Sequence, residues 1–325
     1  MKNAAEIVAS GEAVIQHIVP STNALYVADL LGGPSQIRRF DLNGKNETVI
    51  PIPQISAVQE MVALEDGSLL FRDVSYTEPA AWFHCGNEKL EPAKTALRST
   101  SPVSFADIEV TREFATSKDG TKIPLNILFR KGLKRDGHNP TLLYGYGGYG
   151  ISMSPNFDFT RRLWFDRGGV YVVANIRGGG EFGEEWHKAG NLTKKQNVFD
   201  DFSAAAEYLI KENYTRPEKL ALEGGSNGGL LMGAMITQHP DLMRAVVSQV
   251  GIYDYAASGA GTEWRIQRDR VRDSERSCAI QGAICLFAVS SRRRWDEISC
   301  RFNDDRSKRR TSRALSLAQN DGPAD

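Results

Sequence analysis

Between residues 13 and 105 the chain alternates apolar and polar positions in short runs, each closed by turn-forming residues. Residues 24–30 run into Gly32-Gly33-Pro34, and residues 36–41 run into Leu42-Asn43-Gly44. Residues 68–74 and 80–84 repeat the pattern after Asp66-Gly67. Runs of this length and period predict strands. The recurring unit of an apolar strand followed by Asp-x-x-Gly or Asp-Gly favours propeller blades, with a small independent β domain as the plainer alternative. The region holds about two blades' worth of strands, too few to close a ring. From residue 108 the pattern changes. A hairpin is predicted over residues 109–129 around Lys118-Asp119-Gly120. Buried strands follow at 141–144, 170–176, 219–223 and 244–250, with an amphipathic helix at 196–211 and a further helix at about 229–238. Strands alternating with helices predict an α/β domain built on a largely parallel sheet.

Composition changes the picture only at the C-terminal end. The 325 residues include 40 basic and 40 acidic side chains, so the chain as a whole offers no electrostatic reason to expect a nucleic-acid partner. Residues 255–325, however, carry 13 arginines, one lysine (Lys308), nine serines and three of the four cysteines. Cys85, Cys278, Cys285 and Cys300 form no C-x-x-C pair, which argues against a zinc site. No metal and no cofactor is expected. No apolar stretch reaches the about 18 residues of a membrane span, and no signal peptide is evident, so no membrane partner is expected. The compartment is left open, with the cytoplasm favoured over the periplasm.

The densest candidate chemistry is Gly224-Gly225-Ser226-Asn227-Gly228-Gly229, between an apolar strand and a helix-forming run. It fits G-x-S-x-G, in which a serine sits on a sharp strand-to-helix turn with its hydroxyl exposed. Such a turn places the first helical N–H groups where an oxyanion would form. A glycine-rich βα turn without chemistry is the bland alternative. Gly145-Tyr146-Gly147-Gly148-Tyr149-Gly150 matches G-x-G-x-x-G, but no helix-forming run follows to receive a phosphate. As a loop above the sheet it suits a hydrolase pocket better. Arg177 and Glu181 are expected to brace a glycine-rich loop as a pair. Asp200 and Asp201 are expected to complement the dipole of the helix at 196–211, and His187 is expected to be structural.

Residues 113–254 closely resemble the catalytic domain of prolyl oligopeptidases. The resemblance is carried by Leu143-Tyr-Gly-Tyr-Gly-Gly-Tyr-Gly150, Ala174-Asn-Ile-Arg-Gly-Gly-Gly-Glu-Phe-Gly183, Glu185-Trp-His-Lys188, Phe199-Asp-Asp-Phe202, the serine turn and Gln249-Val-Gly-Ile-Tyr-Asp254. Residues 13–105 look like the last blades of that family's propeller. The resemblance implies an α/β-hydrolase at 108–254, preceded at 1–107 by the end of a β-propeller. It implies a monomeric serine peptidase that cuts short proline-containing peptides through an acyl-enzyme. Ser226 would be the nucleophile, with the Asn227 N–H and the Tyr146 hydroxyl as the oxyanion hole and Tyr149 lining the proline pocket. An acylaminoacyl peptidase, an esterase and a non-catalytic interaction module are the alternatives.

A serine needs a histidine to take its proton and a carboxylate to orient that histidine. In α/β-hydrolases both follow the serine. Of His17, His84, His138, His187 and His239, only His239 follows Ser226, at the far end of the helix the serine turn begins. No triad histidine or aspartate is found, so the chain is expected to be inactive. Residues 255–325 offer a reason. Read one nucleotide later from Tyr255, compatible codons give a stretch that resembles the family's continuation, with Arg309 where the catalytic aspartate would fall. The expectation is an out-of-frame, disordered segment behind a chain also truncated at its N-terminus. The alternative is an arginine-rich nucleic-acid-binding tail.

Overall fold

The computed structural model describes residues 6–9, 11–87 and 89–251, and the backbone of two strands at 284–288 and 299–303. The first part is all β. β1 (Val14–Pro20), β2 (Leu25–Leu30), β3 (Ser35–Phe40) and β4 (Thr48–Ile50) form an antiparallel meander. β5 (Ser56–Ala63), β6 (Leu69–Ser75), β7 (Ala81–Cys85) and β8 (Ala93–Arg98) form a second. Their inward residues share one core, with Tyr26, Ala28, Ile37 and Ile50 packed against Val58, Leu69, Phe71 and Cys85. The Tyr26 ring is buried because its hydroxyl donates to the Gly67 carbonyl at 3.0 Å.

The two sheets treat their buried carboxylates differently. Asp29 on β2 is held by Arg38, whose Nε and Nη2 lie 2.5 and 3.0 Å from its oxygens, and by Gln36 at 3.1 Å. Asp73 on β6 is also buried, but its Oδ1 has no partner among the described residues, and burial pushes its carboxyl up to about 7. The folded state therefore favours protonated Asp73. The contribution of Asp73 to stability is greatest below the ordinary carboxylate pKa of about 4 and is lost as pH rises from there to about 7. Asp73→Asn removes this penalty, and we expect it to raise stability by about 2 kcal/mol at pH 8 while changing little at pH 4. Thermal unfolding of both forms at the two pH values is the check. An equal change at both contradicts it.

The remainder is an α/β unit. In chain order its elements are β9 (Ile108–Thr116), β10 (Lys122–Arg130), β11 (Thr141–Tyr144), α1 (Arg162–Phe165), β12 (Val170–Ala174), α2 (Glu184–Lys188), α3 (Gln196–Lys211), β13 (Leu220–Gly225), α4 (Asn227–Gln238) and β14 (Ala245–Gln249). β15 (Ile284–Ala288) and β16 (Ser299–Asn303) complete an eight-stranded sheet in the order β16-β15-β14-β13-β11-β12-β10-β9. β12, β11, β13 and β14 are parallel, the β9–β10 hairpin adds antiparallel to β12, and β15 and β16 add antiparallel to β14. Apart from those two strands, the expectations for residues 255–325 lie outside the described residues.

Alternation along the strands divides the core. Ile123, Leu125, Leu143, Val172, Leu222 and Val246 face α3 and α4, which bury Val198, Phe202, Ala205, Leu209, Leu231 and Met235 against them. Leu142, Tyr144, Tyr171 and Val173 face the other way, towards Phe165, Phe105 and Tyr76, the last contributed by the residue after β6. α3 occupies residues 196–211 as predicted, because its apolar stripe at helical spacing meets the sheet. Among the described residues no helix is long and apolar enough to cross a membrane.

Candidate active site

Parallel register brings the carboxyl ends of β11, β12, β13 and β14 to one edge. Tyr144 pairs with Glu223 and Val173, and Gly225 with Gln249, so the loops that follow converge there. In open α/β sheets this is where ligands bind. Ser226 stands at that edge between β13 and α4, exposed, with φ 55° and ψ −114°. A serine in this region costs about 1–3 kcal/mol and persists only where its surroundings dictate it. Here the Ser226 N–H donates to the Gln249 carbonyl at 2.8 Å. The Ser226 carbonyl accepts from Gly229 and Leu230, which fixes the first turn of α4.

The glycines are there for close approach. A Cβ on Gly224 would overlap the Gly228 carbonyl, and one on Gly148 would lie 2.5 Å from the Asn227 side chain. Because backbone atoms oppose the added methyl at Gly224, Gly224→Ala is expected to cost about 3 kcal/mol. A denaturation midpoint that does not move would refute the contact.

Residues 145–150 lie over this turn as a loop. The Gly145 N–H donates to the Glu223 carbonyl at 3.2 Å and the Gly150 N–H to Gly178 at 3.0 Å. Tyr146 is half-buried, while Tyr149 has φ 55° and is exposed. Asn227 is buried with its side chain turned back under the loop, Nδ2 donating to the Tyr146 carbonyl at 2.6 Å. The sequence expectations thus bring Ser226, Asn227, Tyr146 and Tyr149 to one edge of the sheet.

Two pairings differ from expectation. Arg177 does not pair with Glu181. Its guanidinium lies within 2.5 Å of both Asp201 and Asp119 and donates to Ser117 at 3.2 Å, while its N–H donates to Asp201 at 3.0 Å. Asp119 is held down at about 2, chiefly by Arg177. Glu181 accepts instead from the Met153 N–H at 2.9 Å and Asn175 at 3.2 Å. Its Oε2 has no partner among the described residues, and burial raises its pKa. Asp201 does not serve the helix dipole either: it is wholly buried and committed to Arg177 and Ser117. Tertiary pairing overrode the local reading because a buried carboxylate needs a cation more than a helix end needs a charge.

The histidines are placed elsewhere. His187 donates from Nδ1 to the Gly178 carbonyl at 2.8 Å, which leaves Nε2 to accept from Asn191 at 3.4 Å, a structural role as expected. His84 bonds Ser68 at 3.0 Å in the second meander. His239 caps the C-terminal end of α4, about 20 Å along the helix from Ser226 at 1.5 Å per residue. It borders a groove with Thr116, Lys118 and Asp200.

Sequence reasoning missed Lys195. It is buried directly before α3, and its Nζ donates to the Gly147 carbonyl at 2.7 Å and to Asn227 Oδ1 at 3.0 Å. Burial pushes its amine down to about 8. The signal available was a lysine at a helix N-terminus, where an acidic or neutral cap is the rule.

A parallel sheet with a serine on a strained strand-to-helix turn is the α/β-hydrolase arrangement. The sequence matches the prolyl oligopeptidase family over residues 155–277, a stretch that runs past Asp254 into the segment expected to be out of frame. It is 40% identical over 261 residues to the prolyl endopeptidase of Elizabethkingia meningoseptica, covering 78% of this chain and 36% of that protein. Among solved structures it resembles a prolyl endopeptidase with TM-score 0.68 at 43% identity, covering 74% of this chain and 36% of the other. It also resembles a post-proline cleaving enzyme from Rickettsia typhi, with TM-score 0.65 at 35% identity over 76% of this chain and 36% of that one. The chain belongs to the prolyl oligopeptidase family of serine peptidases. It spans about a third of the length of the relatives it matches.

Proposed function

We propose that Ser226 is the nucleophile of a site built to cleave short peptides after proline. Attack of its Oγ on the carbonyl carbon would expel the amine and leave an acyl-enzyme. The oxyanion would be held by the Asn227 N–H and the Tyr146 hydroxyl, with Tyr149 lining the proline subsite. The observation that carries this reading is the left-handed φ of an exposed serine at the carboxyl end of the parallel sheet, with residues 145–150 bonded to the residue that follows it. The names of the relatives supply the substrate class. We read the two meanders as the last blades of a propeller at 1–107, a peptidase half at 108–254, and 255–325 as out-of-frame sequence. The 325-residue polypeptide would then act as a monomer with a nucleophile but no base. The test is hydrolysis of a prolyl chromogenic substrate. We expect none; turnover that Ser226→Ala abolishes overturns the missing base and supports the nucleophile. Sequencing the gene across the Asp254 codon tests the reading frame.

A further inference from the structure

Lys195 occupies a place that electrostatics disfavours twice. It is a cation at the N-terminus of a 16-residue helix, where the macrodipole is already positive, and it is buried. Burial alone lowers its pKa, with no carboxylate contributing. A solvent-exposed lysine would avoid the cost of burial and have the dipole screened, so the contacts made by this one must offset both.

Those contacts join the two halves of the candidate oxyanion hole. The Nζ donates to the carbonyl of Gly147 in the 145–150 loop and to Asn227 Oδ1 on the serine turn. Asn227 passes the connection on, its Nδ2 donating to the Tyr146 carbonyl. The result is a closed circuit of Lys195, Gly147, Tyr146 and Asn227. Gly148 lets the loop approach, because any Cβ there would collide with the Asn227 amide. The circuit fixes the spacing between the Tyr146 residue and the Asn227 backbone, the two groups whose donors must converge on one oxygen to within a few tenths of an ångström.

We propose that Lys195 is a positioning residue that sets the register of the 145–150 loop against the serine turn, acting through Asn227. The assignment rests on the oxyanion role given above to Tyr146 and Asn227. The structural step within it is independent of turnover.

Hydrogen exchange measured by mass spectrometry on the 325-residue chain tests it, comparing Lys195→Met, Asn227→Ala and the double variant. Gly150 and Ile151 in the loop and Gly229 and Leu230 on the turn carry bonded amides that report opening. Lys195→Met is expected to raise their exchange about tenfold and to leave β2 and β3 unchanged. The double variant is expected to exchange no faster than Asn227→Ala alone, since both changes cut the same circuit. Additive effects, an unchanged loop, or loosening of the whole chain overturn the proposal. Should Lys195→Met fail to fold, Asn227→Ala decides: opening confined to the loop and turn supports the circuit, and an unchanged loop overturns it. Hydrolysis of a prolyl substrate would overturn the missing base and leave this result standing. Uncoupled exchange would remove the role of Lys195 and leave Ser226 as it is.

Discussion

Replacing Arg177 by methionine is expected to destabilise the chain by about 3–5 kcal/mol, the cost of leaving a buried charge without its partner. Asp201 is wholly buried and receives three donors from Arg177 — the backbone N–H, Nε and Nη2 — with Ser117 as its fourth. Methionine fills much of the volume but its side chain supplies no donor, so the carboxylate keeps only the backbone N–H and Ser117 and must ionise without a cation or take up a proton. The same arginine joins Asp119 in the β9–β10 turn to α3 and to the loop after β12, so three elements loosen together. Denaturant unfolding followed by tryptophan fluorescence is the measurement. A loss below about 1 kcal/mol, the range of a surface pair, would mean the network is solvated. Pairing Arg177→Met with Asp201→Leu is expected to recover part of the loss, because the wholly buried charge is removed and only the half-exposed Asp119 is left unpaired. Asp119 adds a pH signature. Its pKa is depressed to about 2, so its contribution is present above pH 4 and is lost as pH falls towards 2.

Purified 325-residue chain is expected to hydrolyse prolyl amides on the order of 10⁶-fold more slowly than an intact serine peptidase site, because the function proposed above gives it a nucleophile without a base. The oxyanion donors alone leave a serine site about 10³–10⁴-fold above water. Among the described histidines, His187 is committed to Gly178 and His84 to Ser68, and His239 lies beyond α4. A steady-state assay against a prolyl p-nitroanilide, with Ser226→Ala as the control, reads the effect directly. Equal rates for the two proteins are the expected result. A rate that depends on Ser226 would show that a base is within reach of its hydroxyl.

Much of the fold was legible because hydrophobic period is a local property. α3 spans the residues read from its apolar stripe, which runs from Val198 to Leu209, and β11 matches the strand read at 141–144. β1, β4, β5 and β8 were not singled out: β4 is three residues long, β1 and β8 have no fully buried residue, and β5 buries three consecutive residues, so none gives a buried period to read. The serine turn was legible for a different reason. Its glycines are demanded by backbone contacts within a few residues of themselves, as between Gly224 and Gly228.

The sequence by itself determined the α/β order of elements, the strained turn at Ser226, the loop carrying Tyr146 and Tyr149, and the want of a histidine after the serine other than His239. Tertiary structure decided the partners. It took Arg177 away from Glu181 and gave it to Asp201 and Asp119, turned Asp201 from a helix-end charge into a buried acceptor, and put Lys195 beneath the loop and the turn. Period and turn chemistry act over a few residues and are written in order along the chain. A buried charge finds its partner across 24 to 84 residues of sequence, and only the folded packing says which one is within reach.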